Sequence, residues 1–324
     1  MKRMFLWAAA GLILLVLAVP VLVVWSTGAK LPDILEKDSS VKIKMLAPGA
    51  KVVEMPLETY LDGVLAAEMP AEFSEEALKA QALAARTYAA KRMLTYGAGP
   101  NQAHPLAEIC NNPAHCQAWI SIDEMKARWG RVKYSYYLYK ISRAVSATRG
   151  QVLTYEGKLI DPVYHGSCGG HGTESAGELW GQEAAYLQGV ECRWEEANPK
   201  NRAEVKMPLC KVFDLIKELP GIGSLTVGKG NESIAVVSRT GTGRLKEVKV
   251  GGRQVSGRDF RSSLGLASTF VSWQVVGDQV IFKTEGKGHG VGLCQYGADG
   301  MAKAGKNYRE ILSHYYRGAA IKKL

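Results

Sequence analysis

Between residues 57 and 94 the apolar positions fall into two helical registers, divided at Met69-Pro70. Leu57, Leu61, Val64 and Leu65 recur at the spacing of one helix face. Pro56 suits a first helical turn, and Glu58 suits the positive end of the helix dipole. Pro70 ends the first helix, because the residue before a proline is pushed out of helical geometry. The second helix starts after Ser74, an N-cap, with Glu75 and Glu76 in its first turn. Leu78, Ala82, Ala85 and Ala89 give it a thin face of mainly small residues, and Lys79 and Arg86 share another.

Glu68 breaks the pattern. It follows Val64 by four and Leu61 by seven, so it lies on the apolar face at the end of its helix. Burial and the negative end of the dipole both disfavour a charged carboxylate and raise its pKa. A carboxyl group that holds its proton near neutral pH is what a general acid needs. The plainer alternative is a frayed helix end with the carboxylate in water.

Elsewhere the pattern alternates. Residues 41–46 and 51–54 read as strands, and 151–155 with 158–164 as a hairpin about Glu156-Gly157. Residues 121–130 and 135–148 have helical character. The charged stretch 194–219 reads as a linker entering a helix at 209–219. Strands follow at 233–238 and 244–250, then a capped helix at 255–265. Gly277-Asp278 marks another hairpin between 274–276 and 279–283. Asn307 and Glu310 form a capping box for the last helix. Helices interspersed with hairpins predict an α+β fold, a two-lobed domain with a cleft over residues 41–324.

The first forty residues differ. Residues 4–25 are uncharged and mostly Leu, Val and Ala, enough to cross a bilayer. Lys2 and Arg3 precede them, which predicts a cytoplasmic tip at 1–3, a retained anchor at 4–25 and a linker at 26–40. The apolar run is long for a cleaved signal peptide, and the small-residue site after it is poor. The domain at 41–324 is then extracytoplasmic. Over all 324 residues the formal net charge is +10. That balance suits an anionic partner such as a wall polymer or membrane surface. No basic stripe carries interleaved aromatics, so a nucleic-acid partner is not expected.

Two further stretches carry chemistry. The Gly-, Asn- and Pro-rich loop 96–113 leads into a cluster of His104, Cys110, His115 and Cys116, four ligands of a type suited to tetrahedral zinc. A metal would give this loop a core it lacks, with no open position for water. A Cys110–Cys116 disulfide is the alternative. YHGSCGGHGTES, residues 164–175, ends a strand in a glycine-rich rim holding Tyr164, His165 and Ser167. A serine hydrolase is disfavoured there, since no acid and no nucleophile elbow accompany Ser167 and His165. Cys168 and Cys192 could pair or stay as thiols.

GVLAAEMPAEFSEEALKAQALAARTYA, the 164–175 rim and GKGHGVGLCQYGA at residues 286–298 together resemble the stage II sporulation protein D family. These are peptidoglycan lytic transglycosylases of the sporulation septum, and the resemblance runs through most of the extracytoplasmic chain. It implies that Glu68 is the catalytic glutamate and that Lys79, Arg86, Tyr164, His165 and Ser167 contact substrate. It also implies a structural zinc on His104, Cys110, His115 and Cys116, as in clostridial members that share this loop. Cys294 departs from the pattern, replacing the usual serine. The activity implied is cleavage of the bond between N-acetylmuramic acid and N-acetylglucosamine in denuded strands, leaving 1,6-anhydro ends during engulfment. The partners implied are an amidase of the stage II protein P type and a membrane scaffold of the stage II protein M type. Two other readings stay open, a non-catalytic wall-binding enhancer of an amidase and a zinc hydrolase.

Overall fold

A computed structural model of the chain describes residues 41–47, 49–112, 115–195, 201–225 and 233–324. The expected anchor and linker lie outside the described residues. Among the described residues no helix is long and apolar enough to cross a membrane.

The mixed α+β expectation holds. Strands β1 (Lys42–Ala47) and β2 (Lys51–Pro56) form an antiparallel hairpin, and β2 runs directly into α1 (Leu57–Glu68). Helix α2 (Glu75–Arg92) follows; Ser74 occupies its N-cap position without a side-chain capping bond. A two-residue strand, β3 (Ile109–Cys110), pairs in parallel with β1. It is too short to leave an alternating signature, and sequence reading passes it as loop.

Helix α3 (Ile122–Ala147) opens on a Ser121–Glu124 capping box and is broken at Gly130, where φ is 71°. That break explains why two helical stretches were expected here. Next come β4 (Gln151–Tyr155), β5 (Lys158–Leu159) and β6 (Tyr164–His165), then the short α4 (Ala176–Trp180). The β4–β5 hairpin turns at Glu156-Gly157 as expected, but its second strand is short, and β6 instead joins another sheet.

The linker expected at 194–219 is corrected in part. Residues Arg202–Pro208 form strand β7, paired along its length with β12. Val205 and Met207 turn inward while Glu204 and Lys206 face water, a short alternation hidden among charges. Helix α5 (Leu209–Lys217) follows, then β8 (Ile234–Arg239), β9 (Leu245–Val250) and β10 (Arg253–Ser256). Helix α6 (Gly257–Ser263) leads to the hairpin β11 (Phe270–Val276) and β12 (Gln279–Glu285). The chain ends with β13 (Leu293–Cys294), α7 (Gln295–Lys303), α8 (Tyr308–Tyr315) and β14 (Ala320–Lys323).

Two hydrophobic cores result. The first joins α1, α2 and α3 to α7, α8 and β4, and the second lies within β7–β12 with α5 and α6. Helix α2 is the centre of the first. Twelve of its 18 residues are buried, on every side, because alanines let neighbouring backbones approach closely. Among them is Arg86, fully buried and bidentate to Glu58, with Nε to Oε1 at 2.9 Å and Nη2 to Oε2 at 2.6 Å. Its remaining N–H groups donate to Thr148 Oγ1 and to the carbonyls of Gln151 and Val145. Arg86 therefore ties α1, α2, α3 and β4 together.

Candidate active site

Glu68 is the last residue of α1, and its neighbour Met69 is extended (φ −118°, ψ 146°), as a residue before proline must be. Its Oε1 accepts the Ala118 N–H at 2.8 Å and lies 3.3 Å from the Tyr164 hydroxyl. Tyr164 is carried by β6. Its hydroxyl lies nearer to Gln117 Oε1, at 2.9 Å. The orientation of Gln117 is set by its amide N–H groups, which donate to Tyr60 Oη and the Ala85 carbonyl.

A phenol has one proton to give, and Tyr164 shares it between Gln117 Oε1, the nearer acceptor, and Glu68 Oε1. Burial raises the pKa of Glu68; the Ala118 N–H, Tyr164 and the Lys287 ammonium oppose this without reversing it. Burial also holds the Tyr164 phenol well above its ordinary value, so it stays protonated.

The strand carrying Tyr164 is held by the segment around residues 286–292. β13 pairs in parallel with β6, matching Leu293 to Tyr164. His289 Nδ1 accepts the Val291 N–H, so its Nε2 carries the proton and donates to the Tyr164 carbonyl at 3.0 Å. Burial lowers the His289 pKa to about 3 and the His165 pKa to about 4, so both rings are neutral. Glycine is required on this path: at Gly292 a Cβ would sit 2.1 Å from the Val163 carbonyl oxygen. Beside it a cavity of about 630 Å³ is lined from both cores, with Trp180 and His289 facing Arg258 and Arg261.

The Ala118 N–H depends on packing behind it. The Trp119 indole lies on Gly63 of α1, where a Cβ would meet Nε1 at 2.1 Å. Gly63→Ala is therefore expected to displace Trp119 and with it Ala118. Activity should fall at least about 10-fold, while the far-ultraviolet circular dichroism spectrum, which checks the fold, stays helical.

The other expected site residues divide. Glu68 and Tyr164 come together. Arg86 does not reach the site: it is consumed by Glu58, and the expectation of a substrate contact is corrected. Lys79 is pinned by Glu75 and Glu76 at 3.1 and 2.7 Å. His165 is 3% exposed, with Nδ1 on the Val291 carbonyl. The Ser167 hydroxyl donates to Asn201 Oδ1 at 2.7 Å and is buried. Both are buried within the rim. Gln117 and Ala118 are contributors that sequence reading missed, and Lys287 and His289 lie in the 286–298 stretch, where it assigned them no role.

In the loop, His104, Cys110 and Cys116 bring one ligand atom each within 4.8 Å of one another. His104 Nδ1 lies 2.8 Å from the Ala107 carbonyl. The proton belongs on Nδ1, which leaves the Nε2 lone pair free, 3.3 Å from Cys116 Sγ. These donors fit zinc. His115 is exposed and lies outside the cluster, so the expected four-ligand set is corrected to three among the described residues. Cys110 and Cys116 are free thiols, not a disulfide.

The chain is similar to several known proteins. Residues 49–155 match the family model described as Stage II sporulation protein. Stage II sporulation protein D of Bacillus subtilis (strain 168) is 36% identical over 286 residues, 88% of this chain and 80% of that protein. The protein of the same name from Bacillus amyloliquefaciens is 35% identical over the same shares. An amidase enhancer of Bacillus subtilis is 27% identical, over 81% of this chain and 40% of the enhancer.

Proposed function

Because the chain belongs to the stage II sporulation protein D family, we propose that it is a lytic transglycosylase acting on peptidoglycan glycan strands, with Glu68 as its single acid and base. The observation that carries this reading is the Glu68 carboxyl, desolvated and set against Tyr164 and the Ala118 N–H.

Protonated Glu68 gives its proton to the oxygen of the bond between N-acetylmuramic acid and N-acetylglucosamine. As carboxylate it then takes the proton of the muramic 6-hydroxyl, whose oxygen attacks its own anomeric carbon. The bond to the departing sugar breaks and a 1,6-anhydro ring forms. Water is not consumed, so the second carboxylate of a hydrolytic glycosidase has no task. Lys287 is placed to stabilise the carboxylate between the two proton transfers. The cavity holding Trp180, Arg258 and Arg261 offers a stacking face and cations for the rest of an anionic strand. In this reading residues 4–25 anchor the chain in the septal membrane, and an amidase working with a membrane scaffold supplies denuded strands.

Product analysis tests this. The full-length chain incubated with denuded strands should release anhydro-ended sugars, seen by mass spectrometry. Reducing ends in their place would mean hydrolysis.

The relative printed as an amidase enhancer favours a second reading, in which the chain stimulates an amidase without cutting glycan. Stimulation by Glu68→Gln chain equal to wild type, with no anhydro product from either, is its signature.

Zinc on His104, Cys110 and Cys116 would be structural. Cys116 immediately precedes Gln117 and Ala118, so a metal there would anchor the strand of loop that faces Glu68. Chelation is expected to abolish activity together with the order of residues 104–120, read as faster amide exchange in that segment. Loss of activity with unchanged exchange would instead favour a zinc hydrolase.

A further inference from the structure

We propose that Cys168, Cys192, Cys294 and Glu195 form a second, closed binding site for one zinc-class divalent ion, separate from the loop cluster. Three sulfurs and a carboxylate oxygen lie within 4.8 Å of one another, and all four residues are buried. With Zn–S bonds of about 2.3 Å, tetrahedral ligand atoms sit about 3.8 Å apart, so the donors need only small shifts to close on an ion.

Backbone and side-chain partners surround the four ligand atoms. Cys294 is the N-cap of α7, and its Sγ accepts the N–H groups of Gly297 and Cys168, each at 3.3 Å. The Tyr315 hydroxyl lies 3.1 Å from Cys192 Sγ. Glu195 Oε1 is oriented by the N–H groups of Cys168 and Gly169, and Oε2 by the Asn201 amide. Partners of this kind fix ligands around metals.

Charge also fits. Three thiols would release their protons to solvent on binding, so three thiolates, one carboxylate and a dication leave two negative charges. Arg244, fully buried, faces them: its Nη2 donates to the Cys168 carbonyl at 2.9 Å, and its Nε is 4.0 Å from Glu174. A Cys168–Cys192 disulfide would leave Cys294, whose Sγ donates to Glu195 Oε1 at 3.0 Å, outside the link. A metal takes all four as ligands. Soft thiolates select zinc over magnesium or calcium. The ion would join the 164–175 rim, the stretch holding Cys192 and Glu195 and the start of α7, which places a clamp behind β6 and Tyr164.

The test uses the full-length chain carrying Cys110→Ser and Cys116→Ser, which removes the loop thiols, purified with reductant and titrated with cobalt(II). One tightly bound cobalt per chain, with thiolate-to-cobalt absorption displaced by zinc, is expected. Adding Cys294→Ser should weaken binding at least about 10-fold. In the unaltered chain, chelator should accelerate alkylation of Cys168, Cys192 and Cys294, read peptide by peptide by mass spectrometry; this needs no variant to fold. Absence of the cobalt absorption, alkylation rates indifferent to chelator, or a disulfide among these three cysteines in the unreduced protein would overturn the proposal.

Discussion

Glu68→Gln is expected to lower release of anhydro-ended sugars by about 10²–10⁴-fold, the share of a barrier that a positioned acid and base supplies. Glutamine keeps an acceptor for the Ala118 N–H but has no proton to transfer. The fold should gain from the change. A carboxyl whose folded pKa is raised binds a proton that the unfolded chain has already released, so wild-type stability falls as pH rises through the folded midpoint. Melting temperatures of the two proteins should therefore nearly coincide at low pH. Above the midpoint Glu68→Gln should melt higher. Equal activity in the variant, or a wild type that gains on it with rising pH, would argue against the assigned role.

Arg86→Met is expected to be the most damaging single change outside the site. It leaves Glu58 as a buried carboxylate without its bidentate partner and strips donors from the Val145 and Gln151 carbonyls. Breaking a buried pair from one side costs about 3–5 kcal/mol. In a chain of this size that corresponds to a fall of roughly ten degrees in melting temperature, measured by scanning calorimetry. A substrate-binding arginine would behave differently, with KM rising at unchanged stability.

The contrast between these residues shows what the chain reveals of itself. Glu68 was legible because apolar residues at helical spacing point a carboxylate inward and Pro70 marks where the helix must stop. Tyr164 was legible because a strand ends there in glycines. Arg86 was expected at the substrate from the family resemblance, and nothing in α2 contradicted that, because the helix has no apolar stripe. Its alanines lie on all sides, so a helix at the very centre of the core looks in sequence like one with a solvated charged face. Ala118 acts through a backbone N–H, which any residue but proline supplies, and Gln117 sits in an irregular loop 47 residues before Tyr164. Neither leaves a pattern. Strand β7 hid in the same way, its two inward residues interleaved with charges. The Cys168, Cys192 and Cys294 cluster depends on chain segments that only the fold brings together.

The most direct measurement is the titration of Glu68 itself, by NMR of the chain labelled with ¹³C at glutamate carboxyl carbons, assigned by comparison with Glu68→Gln. A midpoint displaced upward from the ordinary carboxylate range, with the proton still held when glycan is bound, is the predicted result. A Glu68 that ionises at the ordinary midpoint, free and in complex, would contradict it.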